Sequence, residues 1–67
     1  LGDTKQALDY YQQSLAINKS IGDLNGVGIS YNNLALIYSR NGTYKKALAH
    51  YKSALSTFRQ SNELLQA

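Results

Sequence analysis

The 67-residue sequence contains no cysteine, proline, methionine or tryptophan, and its single histidine is His50. The absence of cysteine excludes disulfide bonds and thiolate metal sites, and one imidazole is too few for a histidine-based zinc site. We therefore expect neither a metal nor another cofactor. The absence of cysteine also fits a reducing compartment, so a cytoplasmic protein is expected. Because position 1 is not methionine, the chain is expected to be part of a longer protein.

Long apolar runs and concentrated charge are missing as well. No stretch approaches the roughly 20 apolar residues that a membrane-spanning helix needs, so no membrane association is expected. Seven basic and four acidic residues give a net charge of +3. The basic residues are spread along the chain, whereas nucleic-acid-binding domains usually concentrate them on one face. Nucleic-acid binding is thus an unfavoured alternative, which would predict an affinity that falls steeply with salt.

The sequence repeats itself with a period of 40 residues. The matching positions are a glycine, a lysine and the apolar residues of one helical face: Gly2 and Gly42, Lys5 and Lys45, Ala7 and Ala47, Leu8 and Leu48, Tyr11 and Tyr51, Leu15 and Leu55. A repeated structural unit must preserve the residues that end helices and the residues that pack. The sequence therefore predicts repeated helical units.

Apolar residues recur at steps of three and four from Val27 to Tyr38 and again from Tyr44 to Phe58, which is the spacing of one face of a helix. The first 20 residues follow the same plan, with Asp3 as the expected helix cap. No alternating strand pattern is present. The sequence predicts an all-α chain of three antiparallel helices at about residues 3–20, 23–41 and 43–60.

Two short turns are expected between these helices. Gly22 and Gly42 are each suited to the left-handed residue that ends a helix, while Asp23 and Thr43 can cap the helices that follow. Glycine costs about 1 kcal/mol relative to alanine inside a helix. The pair Gly26 and Gly28 is therefore expected to fray the first turn of the middle helix.

The arrangement of helix, short turn and helix resembles the tetratricopeptide repeat, whose motif reads W-x2-L-G-x2-Y, then A-x3-F and a later alanine. The corresponding residues here are Tyr31, Leu34, Ala35, Tyr38, Ala47, Tyr51 and Ala54. The sequence departs from the motif in having Tyr31 for tryptophan, Ala35 for glycine, Tyr51 for phenylalanine and no proline. Its 40-residue period and its Ile21-Gly22-Asp23 connection are similar to the repeats of G-protein-signalling modulators and of bacterial signalling proteins.

The resemblance implies an α-solenoid fragment of about one and a half repeats. Residues 1–22 would be the second helix of one repeat, residues 23–61 a complete repeat, and residues 62–67 the start of the next. About three repeats are usually needed for stability. Marginal stability, or self-association through the exposed repeat ends, is therefore expected.

In such arrays the first helix of each pair lines a concave groove that holds a partner. The resemblance places six residues on that face: Ile29, Asn32, Asn33, Leu36, Ser39 and Arg40. Asn33 would hold a peptide backbone through its amide, and Arg40 would pair with a carboxylate. The alternative is that the asparagines are ordinary solvated residues and that Arg40 only favours the end of its helix.

The predicted function is that of a protein–protein interaction module or scaffold, in a signalling context, which binds a peptide or helix of a partner. The alternative is a purely structural spacer or oligomerisation element. We expect no enzyme, since no catalytic constellation is present. Five of the six tyrosines are assigned to core faces rather than to nucleic-acid stacking, with Tyr10 alone exposed. His50 is assigned to the surface, off the core face.

Overall fold

The computed structural model describes residues 2–66, which form three helices: α1 (Gly2–Ser20), α2 (Leu24–Arg40) and α3 (Tyr44–Gln66). Helix α2 lies in the middle and packs against both neighbours, whereas α1 and α3 do not contact each other within this range. The Cα atoms span 44 × 22 × 10 Å, so the helices form a single layer. The predicted all-α architecture of three helices is confirmed.

Both turns are closed by a glycine in the left-handed conformation, with φ of 73° at Gly22 and 79° at Gly42. This conformation is costly for a residue with a Cβ atom. The same pair of backbone hydrogen bonds follows each helix. After α1, Gly22 N–H donates to Lys19 O (3.2 Å) and Asp23 N–H donates to Asn18 O (2.9 Å). After α2, Gly42 N–H donates to Ser39 O (3.1 Å) and Thr43 N–H donates to Tyr38 O (2.8 Å). These pairs satisfy carbonyl groups that the helix leaves free, so the two predicted turns share one geometry.

The helix starts confirm one predicted cap and correct another. The Asp23 carboxylate accepts a hydrogen bond from Gly26 N–H at 3.0 Å, as expected of an N-cap. The Thr43 carbonyl accepts from Ala47 N–H, which places Thr43 at the start of α3. Asp3 is not a cap, because α1 already begins at Gly2 and Asp3 lies in its first turn. There its negative charge interacts favourably with the positive end of the helix dipole.

Helix α3 extends six residues beyond the predicted end at residue 60 and reaches Gln66. Residues 62–66 therefore continue α3 rather than begin a separate fourth helix, and Ala67 lies outside the described residues. The turn after α1 depends on Gly22, and the residue 40 positions later is Asn62. Asparagine adopts the left-handed conformation less readily than glycine does. Without a glycine there, the helix continues.

The core is small and is built mainly from short side chains. Val27, Leu34 and Ala35 of α2 and Ala47 and Ala54 of α3 are buried, and among residues 2–66 Leu34 is the largest fully buried side chain. Small residues let the helices approach closely while larger side chains fill the gaps between them. The three alanines that correspond to the repeat motif, Ala35, Ala47 and Ala54, are all among the buried residues.

Helix α2 is continuous from Leu24, so its first turn is not frayed. Close packing accounts for the two glycines near its start. A Cβ atom on Gly28 would lie 2.6 Å from Phe58 Cε1. A Cβ atom on Gly26 would lie 2.5 Å from the Asp23 carboxylate and 2.8 Å from Asn18 Cγ. The predicted fraying was wrong, because these glycines let the helices approach each other and so have a packing role.

The burial of each tyrosine depends on whether a neighbouring helix covers its face. Tyr11, Tyr31 and Tyr38 are half-buried, and Tyr10 is 65% exposed, as predicted. Tyr44 and Tyr51 were assigned to the core but are 70% and 39% exposed. Both lie on a face of α3 that α2 does not cover.

Candidate functional site

The middle helix keeps one uncovered face, which we call the α2 stripe: Ile29, Asn32, Asn33, Leu36, Ser39 and Arg40. Two large apolar side chains lie near its centre, Ile29 at 48% and Leu36 at 41% exposure. Asn32 and Arg40 are exposed beside them. These four residues follow each other at steps of three and four, so they share one face of the helix.

The remaining two residues of the α2 stripe lie at its edges. Asn33 and Ser39 are half-buried, on the two sides of α2 that approach its neighbouring helices. The structure therefore brings Ile29, Asn32, Leu36 and Arg40 together as an open surface, and leaves Asn33 and Ser39 only partly accessible. Whether any of the six contacts a partner stays a prediction.

Arg40 lines a cleft of about 220 Å³ between the start of α1 and the end of α2. The other lining residues are Asp3, Thr4, Ala7, Ile37 and Asn41. Asp3 and Arg40, which carry opposite charges, therefore both border this cleft.

A second cluster lies on the opposite face of α2. Tyr31 and Tyr38 each follow a residue of the α2 stripe by two positions, which corresponds to about half a helical turn. The Lys19 ammonium lies 5.5 Å from the ring centroid of Tyr31, and the Lys46 ammonium lies 5.6 Å from that of Tyr38. Since Lys19 belongs to α1 and Lys46 to α3, the two cations flank the tyrosines from opposite sides.

His50 completes this cluster, which corrects its assignment to the open surface. It is half-buried, and its ring centroid lies 6.0 Å from that of Tyr31 and 5.0 Å from that of Tyr38. Its Nδ1 lies 2.7 Å from the carbonyl oxygen of Lys46. Because a carbonyl oxygen can only accept, Nδ1 carries the proton in this contact. We call these five residues, Lys19, Tyr31, Tyr38, Lys46 and His50, the tyrosine groove.

This groove was not predicted from the sequence, because its residues come from three helices. The seven-residue spacing of Tyr31 and Tyr38 was visible, but it was interpreted as core. Periodicity places a side chain on a face of its own helix and does not reveal how close a lysine from another helix lies. Within residues 2–66, no group of three or more His, Cys, Asp or Glu side chains could hold a metal ion. None of the three helices is both long and apolar enough to cross a membrane.

Comparison with known proteins assigns this architecture to a family. The sequence matches the tetratricopeptide repeat over residues 1–60. The chain belongs to the tetratricopeptide repeat family. Members of this family present extended surfaces that bind other proteins, and the three antiparallel helices fit that description. No solved structure matches the sequence.

Two curated relatives share a substantial part of the tetratricopeptide sequence. Both are called photosystem I assembly protein Ycf3, from Prochlorococcus marinus strains NATL1A and NATL2A, and they are 41% and 39% identical to this chain over 54 residues. Each alignment covers 81% of this chain but 30% of the relative. The chain therefore spans about 30% of the length of these relatives.

Proposed function

We propose that this tetratricopeptide chain is a non-catalytic interaction module whose α2 stripe binds a peptide or a short helix of a partner protein. The observation that carries the proposal is the exposure of Ile29 and Leu36 on the one open face of the central helix, 48% and 41% respectively. The exposed amide of Asn32 and the exposed cation of Arg40 lie beside these two side chains. An apolar centre with a polar rim is the usual composition of a protein interface.

The chain as a whole exposes more surface than a compact protein of its mass. The accessible surface of the chain is 4859 Å², whereas a compact protein of 7.4 kDa is expected to expose about 4,200 Å². The difference of about 650 Å² approaches the roughly 800 Å² that one partner contributes to a standard interface. A bound partner could therefore bring the exposed area of this layer close to that of an ordinary globular protein.

The names of the relatives support a related role. Both relatives are named for the assembly of a photosystem, and they align with a chain that matches the tetratricopeptide repeat over residues 1–60. We infer that this chain, too, holds a protein partner so that a larger complex can form. The inference concerns the class of partner, a polypeptide, and does not extend to photosystem I.

A spacer or oligomerisation element is the second candidate, favoured by the exposed apolar residues of α3. Tyr44, Leu48 and Leu55 are 70%, 56% and 60% exposed on one side of that helix. A spacer would use this side to contact further helices and would not need the α2 stripe. The two candidates therefore place the functional surface on different helices.

The test is selection of peptides from a displayed random library, followed by affinity measurement by fluorescence anisotropy. The double variant Ile29→Ser and Leu36→Ser removes the apolar centre of the α2 stripe. The matched control, Ile17→Ser and Leu55→Ser, removes two similar side chains that are 59% and 60% exposed elsewhere. Circular dichroism establishes that both variants keep their helical content.

The expected loss follows from burial. Full burial of a leucine or isoleucine side chain contributes about 1.5–3 kcal/mol, and slightly under half of each side chain is still exposed. The stripe variant should therefore lose about 1.3–2.7 kcal/mol, or about 10- to 100-fold in affinity. Selected peptides that bind both variants equally well would refute the proposal. Loss of binding in the control alone would favour the spacer.

A further inference from the structure

Two asparagines of the sequence directly precede a glycine: Asn25 before Gly26, and Asn41 before Gly42. Such a pair can react spontaneously in water. The backbone nitrogen of the glycine attacks the amide carbon of the asparagine side chain, a C–N bond closes a five-membered succinimide ring, and the amide nitrogen leaves as ammonia with the proton of the glycine N–H. Glycine favours the attack because it has no side chain to hinder the approach. Water then opens the ring at either carbonyl group, which leaves an aspartate or an isoaspartate.

The Asn25 pair is held inside a folded helix. Asn25 lies in the first turn of α2, and Gly26 N–H donates to the Asp23 carboxylate at 3.0 Å. Gly26 also lies close to α1, since a Cβ atom there would be 2.8 Å from Asn18 Cγ. Ring closure requires rotation about the Cα–C bond of the asparagine, which turns the glycine nitrogen toward the side chain. In α2 this rotation breaks the helix cap and unwinds the first turn.

The Asn41 pair lies in the turn between α2 and α3. Asn41, Gly42 and Thr43 are all exposed. The ψ angle of Asn41 is −3°, so ring closure requires the same rotation here, which breaks the hydrogen bond from Gly42 N–H to Ser39 O. Water can replace the lost partner in an exposed turn, and exposed turns open at a lower free energy than packed helices do. The fold therefore distinguishes two pairs that are alike in sequence.

The turn between α1 and α2 has the same geometry but lacks the reacting group. Gly22 has a φ of 73°, and the pair of hydrogen bonds that closes this turn matches the pair after α2. The residue before Gly22 is Ile21, whose side chain carries no amide. The two turns thus differ at the position that supplies the carbon under attack.

We propose that Asn41 is the site at which this chain deamidates, and that isoaspartate at this position opens the turn between α2 and α3. An isoaspartate places one additional methylene group in the main chain, so Gly42 and Thr43 are displaced from the carbonyl groups of Ser39 and Tyr38. The new carboxylate also lies at the end of α2, where the helix dipole disfavours negative charge. The proposal is independent of the partner that the α2 stripe binds.

The experiment follows deamidation of the folded chain during incubation at mildly alkaline pH. Peptide mapping by mass spectrometry measures the conversion at each asparagine, and methylation by a purified isoaspartyl methyltransferase measures the isoaspartate formed. Circular dichroism establishes a temperature at which the chain is folded. The same chain in guanidinium chloride provides the unfolded reference at that temperature.

In the folded chain, Asn41 should react about tenfold faster than Asn25, which corresponds to a difference of about 1.4 kcal/mol in the free energy of opening. In denaturant the two should react at similar rates. Equal rates in the folded chain, or a faster reaction at Asn25, would overturn the assignment. So would an Asn41 that stays intact in the folded chain for as long as the denatured chain takes to react completely.

A transplanted site tests the contribution of the turn geometry. Ile21 is 70% exposed, so Ile21→Asn creates an asparagine–glycine pair in the first turn without removing a buried side chain. The new amide should react at a rate similar to that of Asn41, whereas a rate as low as that of Asn25 would contradict the proposal. The control is Asn41→Gln, which retains an amide but would have to close a six-membered ring. It should abolish isoaspartate formation in the second turn.

The effect on the turn is measured on the separated product. The isoaspartate form carries one additional negative charge, so ion exchange resolves it from the unaltered chain. Its unfolding midpoint in urea should be lower than that of the variant Asn41→Asp, which adds the charge without the methylene group. Equal midpoints would show that the added methylene group does not open the turn, and this part of the proposal would be wrong.

Discussion

Replacing Gly28 with alanine sets two effects of opposite sign against each other. Alanine in a helix interior is favoured over glycine by about 1 kcal/mol. However, the new Cβ atom would lie 2.6 Å from Phe58 Cε1 and 2.8 Å from both Cδ1 and Cζ of the same ring. Overpacking of this kind costs about 1–3 kcal/mol. Because Gly28 is buried, the ring must move, and we expect Gly28→Ala to lower the free energy of unfolding by about 0–2 kcal/mol.

Urea unfolding followed by circular dichroism measures this change, at a fixed chain concentration. The same substitution in a Phe58→Leu background provides the control, because a leucine side chain lacks the ring atoms that the new methyl group would meet. There Gly28→Ala should stabilise the chain relative to Phe58→Leu alone, by up to about 1 kcal/mol. A gain of that size in the unaltered background would refute the close approach of Gly28 and Phe58. It would instead support the fraying that the sequence suggested.

Three further substitutions test the turns and the contact between α1 and α2 by the same unfolding assay. Gly42→Ala should lower the free energy of unfolding by about 1–2 kcal/mol, because φ is 79° at this position. A Cβ atom there would have free space, so the expected loss comes from backbone strain alone. An unchanged unfolding midpoint would contradict this strain. Asp23→Ala should cost about 0.5–2 kcal/mol by removing the acceptor of Gly26 N–H, whereas Asp23→Asn should retain most of the stability. Asn18→Leu should cost about 1–3 kcal/mol, because it removes the 3.2 Å hydrogen bond to the Ser30 hydroxyl. Ser30→Ala in the Asn18→Leu background should recover part of that loss, and no recovery would count against the contact.

The sequence predicted the parts of the fold that depend on local chemistry. Gly22 and Gly42 mark the two turns, since few other residues adopt a positive φ at low cost. The step of three and four residues identified the three helices. The end of α3 was missed because the 40-residue repeat was extended to Asn62, where the glycine that ends α1 has no counterpart.

Burial was predicted less well, because it depends on neighbours as well as on periodicity. Tyr51 and Tyr11 occupy the same position of the repeat. Tyr11 is half-buried on α1, which packs against α2, whereas Tyr51 is 39% exposed on α3. The pattern identifies a face that can pack, and the neighbouring helix decides whether it does.

The candidate site, like the core, was predictable from the sequence only in part. The exposure of Ile29 and Leu36 followed from the face they share on one helix. The half-burial of Asn33 and Ser39 depends on where α1 and α3 lie against α2, which sequence periodicity does not specify. The tyrosine groove was not predictable, since Lys19 and Lys46 approach Tyr31 and Tyr38 from different helices.

The central claim, that the α2 stripe holds a protein partner, is tested most directly by NMR mapping of a selected peptide on the ¹⁵N-labelled chain. Addition of the peptide should produce the largest amide shift changes at Ile29, Asn32, Leu36 and Arg40. The amides around Leu48 and Leu55 should change little. The largest changes around those two leucines of α3, with the α2 stripe unaffected, would contradict the account and identify α3 as the binding surface.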